Sequence, residues 1–219
     1  MTTLPAAEIF YPVCDLFTSI QGEATWTGCA MLFVRFSGCP LACPWCDEPR
    51  HKDPEASRLM TSTEIVAAMQ QLDPGLSRVL LTGGEPLAVN GLAHLVAALQ
   101  AQGYWLAMET CGVGGEIPPG LDWITLSPKT PLPESVFARA SELKYIVASS
   151  PTERQTKEIQ ARARMQENVW VQPRAEGGAA ATGQDLIPPQ ALQHCLDHIR
   201  QSGGRIRLSL QTHKWIGLP

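Results

Sequence analysis

Met31-Leu32-Phe33-Val34-Arg35-Phe36 runs into Ser37-Gly38-Cys39-Pro40-Leu41-Ala42-Cys43-Pro44-Trp45-Cys46. The first six residues read as a strand, being apolar and rich in strand-forming types. The next ten cannot continue it, because Gly38, Pro40 and Pro44 break regular pairing. Three cysteines fall in this break with the spacing C-x3-C-x2-C. The stretch therefore describes a strand that ends in a thiol-rich loop, and in parallel α/β sheets the chemistry gathers where strands end.

Outward from this junction, strands and helices alternate. Thr61 to Leu72 carries a capping box, Thr61 with Glu64, and an apolar stripe at Ile65, Met69 and Leu72. Arg78 to Thr82 is the next strand, and Gly91 to Gln102 the next helix, with Leu92, Leu95, Val96 and Leu99 inward and Gly103 closing it. Further strands are predicted at Tyr104 to Glu109, Asp122 to Leu126, Leu143 to Val147, Asn168 to Gln172 and Arg205 to Gln211. Helices are predicted at Glu134 to Ser141, Thr152 to Met165 and Gln190 to Ser202, with Ser150, Pro151 and Glu153 as the entry signals of the second. Repeated βα units imply an α/β fold with a parallel sheet, open or rolled into a barrel. The 219 residues suffice for a single domain over 1–219. Glu176 to Gly183 reads as a mobile Gly/Ala-rich loop rather than a linker.

Composition narrows the class. A hydrophobic fraction of 44% and a charged fraction of 17% suit a soluble enzyme, and a net charge of −4 gives no reason to expect nucleic acid or an acidic membrane. No apolar run reaches the length of a membrane span, and Met1 to Phe10 lacks a signal-peptide pattern, so a cytoplasmic location is expected. Of the seven cysteines, three cluster between Cys39 and Cys46, which favours a metal site over a disulfide framework. Three thiolates on one loop can hold three irons of a 4Fe–4S cluster and leave the fourth iron open to an outside ligand. Zinc, with His51 completing a four-ligand set in a small binding module, is the rival.

Thr82-Gly83-Gly84-Glu85-Pro86 follows the second strand, where glycines let backbone approach a ligand closely and the glutamate can accept from an amino group. Glu109-Thr110-Cys111-Gly112 and Ser127-Pro128-Lys129 close the next two strands. Polar clusters at successive strand ends are what a site on that rim requires.

The triplet Cys39, Cys43 and Cys46, with Trp45 before the last cysteine, resembles the radical S-adenosylmethionine superfamily. That resemblance implies that the three thiolates ligate the cluster and that S-adenosylmethionine chelates the open iron. An electron from the cluster then releases a 5′-deoxyadenosyl radical. The Gly-Gly-Glu-Pro segment would hold the methionine amino end. Ile20-Gln21-Gly22-Glu23, Arg35, Thr82, Ser127, Gln172-Pro173 and the end Gln211 to Pro219 together resemble, from about Asp15 onward, the 7-carboxy-7-deazaguanine synthases.

What this second resemblance implies is specific. The fold is an incomplete parallel (β/α) barrel, and homodimers are usual. The substrate is 6-carboxy-5,6,7,8-tetrahydropterin, whose ring contracts with loss of ammonia after the radical takes the C6 hydrogen. S-adenosylmethionine is regenerated, magnesium assists, and a donor such as flavodoxin supplies the electron. Ile20, Gln21 and Gly22 would meet the pterin, Arg35 its carboxylate, and Thr82 and the terminal carboxylate of Pro219 would also contact substrate. Trp45, Cys46, Asp47, Gly84, Ser127, Pro128, Lys129 and Gln172, Pro173, Arg174 and Ala175 would line the cofactor, and His213 would be a pocket residue. Two positions depart from the family. Glu48 stands where threonine or serine usually binds magnesium, and a carboxylate is itself a good magnesium ligand. Ala24 stands where glycine is common, a change expected to matter little. A glycyl-radical activase would share the cysteine triplet and Gly-Gly-Glu-Pro, but gives no role to the two ends of the chain.

Overall fold

A computed structural model describes residues 8–175 and 187–219, so the Gly/Ala-rich stretch lies outside the described residues. These form nine strands and six α-helices: β1 (Tyr11–Ile20), β2 (Ala30–Phe36), β3 (Arg58–Met60), α1 (Ser62–Leu72), β4 (Arg78–Gly83), α2 (Leu92–Ala101), β5 (Trp105–Thr110), β6 (Trp123–Leu126), α3 (Glu134–Phe137), β7 (Glu142–Val147), α4 (Glu153–Arg162), β8 (Val169–Pro173), α5 (Pro189–Gln201), β9 (Ile206–Leu208) and α6 (Thr212–Trp215). The strands make one open sheet in the order β3-β1-β2-β4-β5-β6-β7-β8-β9. From β2 to β9 every pairing is parallel, whereas β1 pairs antiparallel with both β2 and β3. An incomplete barrel is therefore what the chain builds. The chain after β9 reaches back to the residues following β1, where the N–H and hydroxyl of Thr212 both donate to the Gly22 carbonyl, at 3.0 and 2.9 Å.

Strand periodicity explains which residues fill which side. Successive side chains alternate between faces, so Leu32, Val34 and Phe36, Val79 and Leu81, and Leu106 and Met108 share the outer face, packed with Ile65 and Met69 of α1 and Leu92, Leu95, Val96 and Leu99 of α2. Leu143, Tyr145, Val147, Val169 and Val171 do the same with Ile159 of α4 and Cys195 of α5. Each such fully buried aliphatic side chain contributes about 1.5–3 kcal/mol. On the inner face Met31, Phe33, Leu80 and Ala107 pack with Trp26, Trp105 and Trp123 into a separate apolar plug. Above the plug, the same alternation turns polar groups inward.

Several expectations need correction. Leu72 is 45% exposed and does not extend the inner stripe of α1. The cap of α4 is Thr152, whose hydroxyl accepts from Gln155 N, not Ser150. The strand expected over 205–211 ends at Leu208, and the chain then forms α6 rather than running straight from a strand to Pro219. Ala24 takes φ +53°, the left-handed region that disfavours a Cβ. This gives a physical reason for glycine there, so the alanine does matter. Ala24→Gly is expected to raise stability by about 1 kcal/mol, read as a higher denaturant midpoint at unchanged slope.

Candidate active site

One cavity among the described residues has a volume of about 250 Å³, whereas another, about 10 Å³, holds no more than a water molecule. The large one opens on the concave face of the sheet. Phe33 and Arg35 of β2, Leu80 and Thr82 of β4, Glu109 of β5, Lys144 and Ile146 of β7 and Gln172 of β8 all face it. Parallel registry sets Arg35 beside Thr82 and Phe36 beside Gly83. The site is thus a product of strand alternation at the level above the apolar plug.

The cysteine loop forms one wall, and Cys39, Cys43 and Cys46 all line the cavity. Its root is pinned twice: Gly38 N donates to the His51 carbonyl at 2.8 Å, and the Gly38 carbonyl accepts from Glu85 N at 2.9 Å. This closeness requires glycine at 84, where a Cβ would stand 1.8 Å from the Gly38 oxygen. His51 is buried and brings Nε2 to 3.3 Å from the Cys46 sulfur. Among the described residues, however, no three Cys, His, Asp or Glu side chains gather closely enough to hold one metal ion. A zinc site needs its ligands around one point, while each thiolate of an iron–sulfur cluster binds its own iron. The three thiols on one loop fit such a cluster.

Glu85 departs from expectation. It is 1% exposed, and its carboxylate accepts from Leu87 N (3.0 Å), the Thr110 hydroxyl (2.5 Å) and Cys111 N (2.7 Å). It ties the β4 turn to the end of β5, and Gly83 and Gly84 bring backbone to the cavity beside it. Opposite the cysteines, Lys129 donates to the Ser127 hydroxyl at 2.7 Å and lies 5.1 Å from the Trp45 ring centre. Burial holds the Lys129 ammonium below its ordinary range. Asp47, Gln172, Pro173, Arg174 and Ala175 complete this side, while Pro128 is not among the lining residues.

Ile20, Gln21, Gly22, His213 and the exposed Pro219 line the cavity as expected. Gly22 meets α6 so closely that a Cβ would stand 1.9 Å from His213 Nδ1. That nitrogen is buried against Gly22 and has no hydrogen-bond partner among the described residues. Burial keeps His213 below the usual imidazole range. Asp47 is tied to the same segment by Lys214 (3.1 Å) and Gln211 (2.7 Å). Enclosure works against its charge, but Lys214 and these hydrogen bonds hold it down to about 2.

A buried ionic cluster escaped the sequence. Lys144 is paired with Glu23 and, at 3.1 Å, with Glu109, which also accepts from Gln21 Nε2 at 2.9 Å. Burial alone would drive Lys144 down, but Glu109 and Glu23 outweigh it and hold the ammonium up. For Glu23 burial is outweighed by Lys144, which keeps the carboxyl below its ordinary range, whereas for Glu109 burial prevails and lifts it. Glu48, the candidate magnesium ligand, lines the cavity with its carboxylate on Arg35 at 2.5 Å and on Arg50 at 3.1 Å.

This arrangement agrees with known proteins. The Radical SAM superfamily profile matches residues 33–165, which include the cysteine loop. A 7-carboxy-7-deazaguanine synthase of Synechocystis is 34% identical, with both chains covered completely. One from Bordetella pertussis is 37% identical over 95% of this chain and 99% of the relative. In fold, the QueE protein of Escherichia coli superposes with a TM-score of 0.71 at 23% identity, covering 92% of this chain and 94% of that one. Streptococcus suis SuiB, solved with S-adenosylmethionine, has a TM-score of 0.50 at 16% identity, over 78% of this chain and 48% of that one. Thiol loop, strand-end glycines and full-length similarity agree: the chain belongs to the 7-carboxy-7-deazaguanine synthase family of radical S-adenosylmethionine enzymes.

Proposed function

We propose that the chain contracts the ring of 6-carboxy-5,6,7,8-tetrahydropterin to 7-carboxy-7-deazaguanine with loss of ammonia, a step toward queuosine and related 7-deazapurines. The observation that carries this is a single cavity with two kinds of wall. One is the thiol loop with its glycine cradle. The other is a set of buried hydrogen-bonding and ionic groups suited to a flat, carboxylated heterocycle. When bound, the cluster and S-adenosylmethionine supply the radical that removes the C6 hydrogen. Cys39, Cys43 and Cys46 would hold the cluster. Trp45, Asp47, Gly84, Ser127, Lys129 and the segment Gln172 to Ala175 would bind S-adenosylmethionine.

The chain's own groups then divide the remaining work. Arg35 would pair with the substrate carboxylate through its planar fork. Ile20, Gln21, Gly22, Thr82 and Pro219 would set the ring in place, with His213 beside them on the cavity wall. Glu109, held by Gln21 and Lys144, presents its carboxyl group to the cavity. Glu48 is a hard-oxygen group on the cavity wall and, with the substrate carboxylate and water, would bind magnesium once free of Arg35. The plug of Trp26, Trp105 and Trp123 closes the inner end of the site against water.

The reading extends to the setting of the enzyme. It works as one domain and as a homodimer, and takes its electron from a donor such as flavodoxin. The seven free thiols suit the reducing cytoplasm. Among the described residues no helix is long and apolar enough to cross a membrane. The test is anaerobic incubation of cluster-loaded protein with S-adenosylmethionine, reductant and the carboxylated pterin, followed by mass analysis. A product lighter than substrate by ammonia supports the reading. Unconsumed pterin beside a glycyl radical on a partner protein would replace it with an activase.

A further inference from the structure

Glu48 is bonded to Nη1 of Arg35, the residue that the proposed reading gives to the substrate carboxylate. Its Oε2 accepts from Arg35 Nη1 at 2.5 Å. The same carboxylate accepts from Arg50: Nε to Oε1 and Nη2 to Oε2 at 3.1 Å each, and backbone N to Oε1 at 3.2 Å. Arg50 Nη2 is anchored in turn on Asp15 Oδ2 at 3.1 Å, and Asp15 stands 3.8 Å from Arg35. Two cations and two anions thus alternate from the cavity wall outward. Side-chain exposure is 15% at Arg35, 21% at Glu48, 56% at Arg50 and 32% at Asp15, so the outer pair is the more exposed. Arg35 and Glu48 line the cavity, while Arg50 and Asp15 stand behind them.

This is a carboxylate with two seats. Glu48 caps the short 3-10 turn Pro49–Lys52 through its bond from Arg50 N, so it stays held when it lets go of Arg35. One guanidinium fork accommodates one bidentate carboxylate, and two carboxylates forced onto it repel each other. An incoming carboxylate that takes Arg35 Nη1 therefore has to move Glu48 aside. Leaving a half-buried charge without a partner is strongly unfavourable, and Arg50 removes that penalty.

We propose that Glu48 is a displaceable internal carboxylate on Arg35, and that Arg50 is the positioning residue that receives it when the substrate's carboxylate arrives. The inference rests on the reading of Arg35 as the substrate's carboxylate partner. It makes the pair a specificity device, since a ligand without a carboxylate has nothing with which to displace Glu48.

The test is equilibrium binding to cluster-loaded enzyme with S-adenosylmethionine, without reductant and in buffer freed of divalent cations. Two ligands are compared, 6-carboxytetrahydropterin and the tetrahydropterin lacking the carboxyl, on wild type, Arg50→Met, Glu48→Gln and the double variant. Arg50→Met should lose on the order of tenfold in affinity for the carboxylated ligand, about 1.4 kcal/mol, because Glu48 then has no second seat. Glu48→Gln should bind that ligand at least as tightly as wild type. The double variant should return to wild-type affinity, a rescue that a purely structural role for Arg50 does not produce. The carboxyl-free pterin should bind all four proteins alike. If wild type discriminates between the two ligands but the double variant stays as weak as Arg50→Met, or Arg50→Met loses nothing, the two-seat inference is overturned and the reading of Arg35 survives. If wild type binds both ligands equally, the reading of Arg35 fails and this inference falls with it.

Discussion

Replacing any one of Cys39, Cys43 or Cys46 by alanine is expected to abolish S-adenosylmethionine cleavage, while alanine at Cys14, Cys29 or Cys195 leaves iron content and cleavage nearly intact. Three thiolates are the fewest that leave one iron of a cluster open, and losing one leaves two protein ligands for four irons. The second group is placed elsewhere. Cys14 lies within β1, Cys29 just before β2, and Cys195 in α5 against the outer face of the sheet. Cys111 lines the cavity as well, but it follows β5 and lies outside the Cys39–Cys46 loop. The readouts are iron and acid-labile sulfide after anaerobic reconstitution, and 5′-deoxyadenosine formed with a chemical reductant. Equal losses in the two groups would contradict the ligand assignment.

Lys144→Met is expected to remove about 3–5 kcal/mol of stability near neutral pH, because it strands two carboxylates in the barrel interior. The lysine side chain is 5% exposed, and its partners Glu23 and Glu109 are 11% and 23% exposed. The pH dependence has a definite sign. In the wild type Glu23 titrates below its unfolded value, so its contribution is present above the unfolded pKa and lost as pH falls through the folded one. Without Lys144, burial and mutual repulsion lift Glu23 above its unfolded value and raise Glu109, already lifted in the wild type, further, so the variant gains stability as pH falls. The gap between the proteins should therefore narrow from pH 7 toward pH 5, measured as unfolding free energy in denaturant. A gap that is constant over this range would mean that Lys144 contributes packing and not charge.

The fold was legible wherever burial on both faces made an unbroken apolar run, as in β2 and β4. β1 escaped because it is an antiparallel strand near the sheet edge, with Cys14, Asp15 and Ser19 half-buried and Thr18 exposed rather than in clean alternation. β3 is three residues long, below the length at which a pattern exists. α3 was overextended because Glu134 to Ser141 has helical character, yet only one turn finds tertiary support.

The candidate site was readable to the extent that short motifs sit at strand ends. Except for Pro128, every residue expected around the ligands lines the cavity. Lys144 was not readable in this way, because its partners lie 35 and 121 residues away in sequence. One signal was present: a lysine inside the apolar strand Glu142–Val147 needs buried acids, since lysine is almost never buried unpaired. Glu48 shows the opposite limit. Its oxygens mark it as a magnesium ligand by residue type, and only the folded structure reveals Arg35 and Arg50 on either side.

The central claim is that this cavity removes the C6 hydrogen of a carboxylated tetrahydropterin and regenerates S-adenosylmethionine. The most direct measurement uses substrate carrying deuterium at C6, cluster-loaded enzyme and reductant, with mass analysis of the S-adenosylmethionine recovered after partial turnover. The account predicts deuterium in the recovered S-adenosylmethionine, with 7-carboxy-7-deazaguanine accumulating well beyond the amount of S-adenosylmethionine consumed. Recovered S-adenosylmethionine free of deuterium, with one 5′-deoxyadenosine released for each pterin lost, would contradict it.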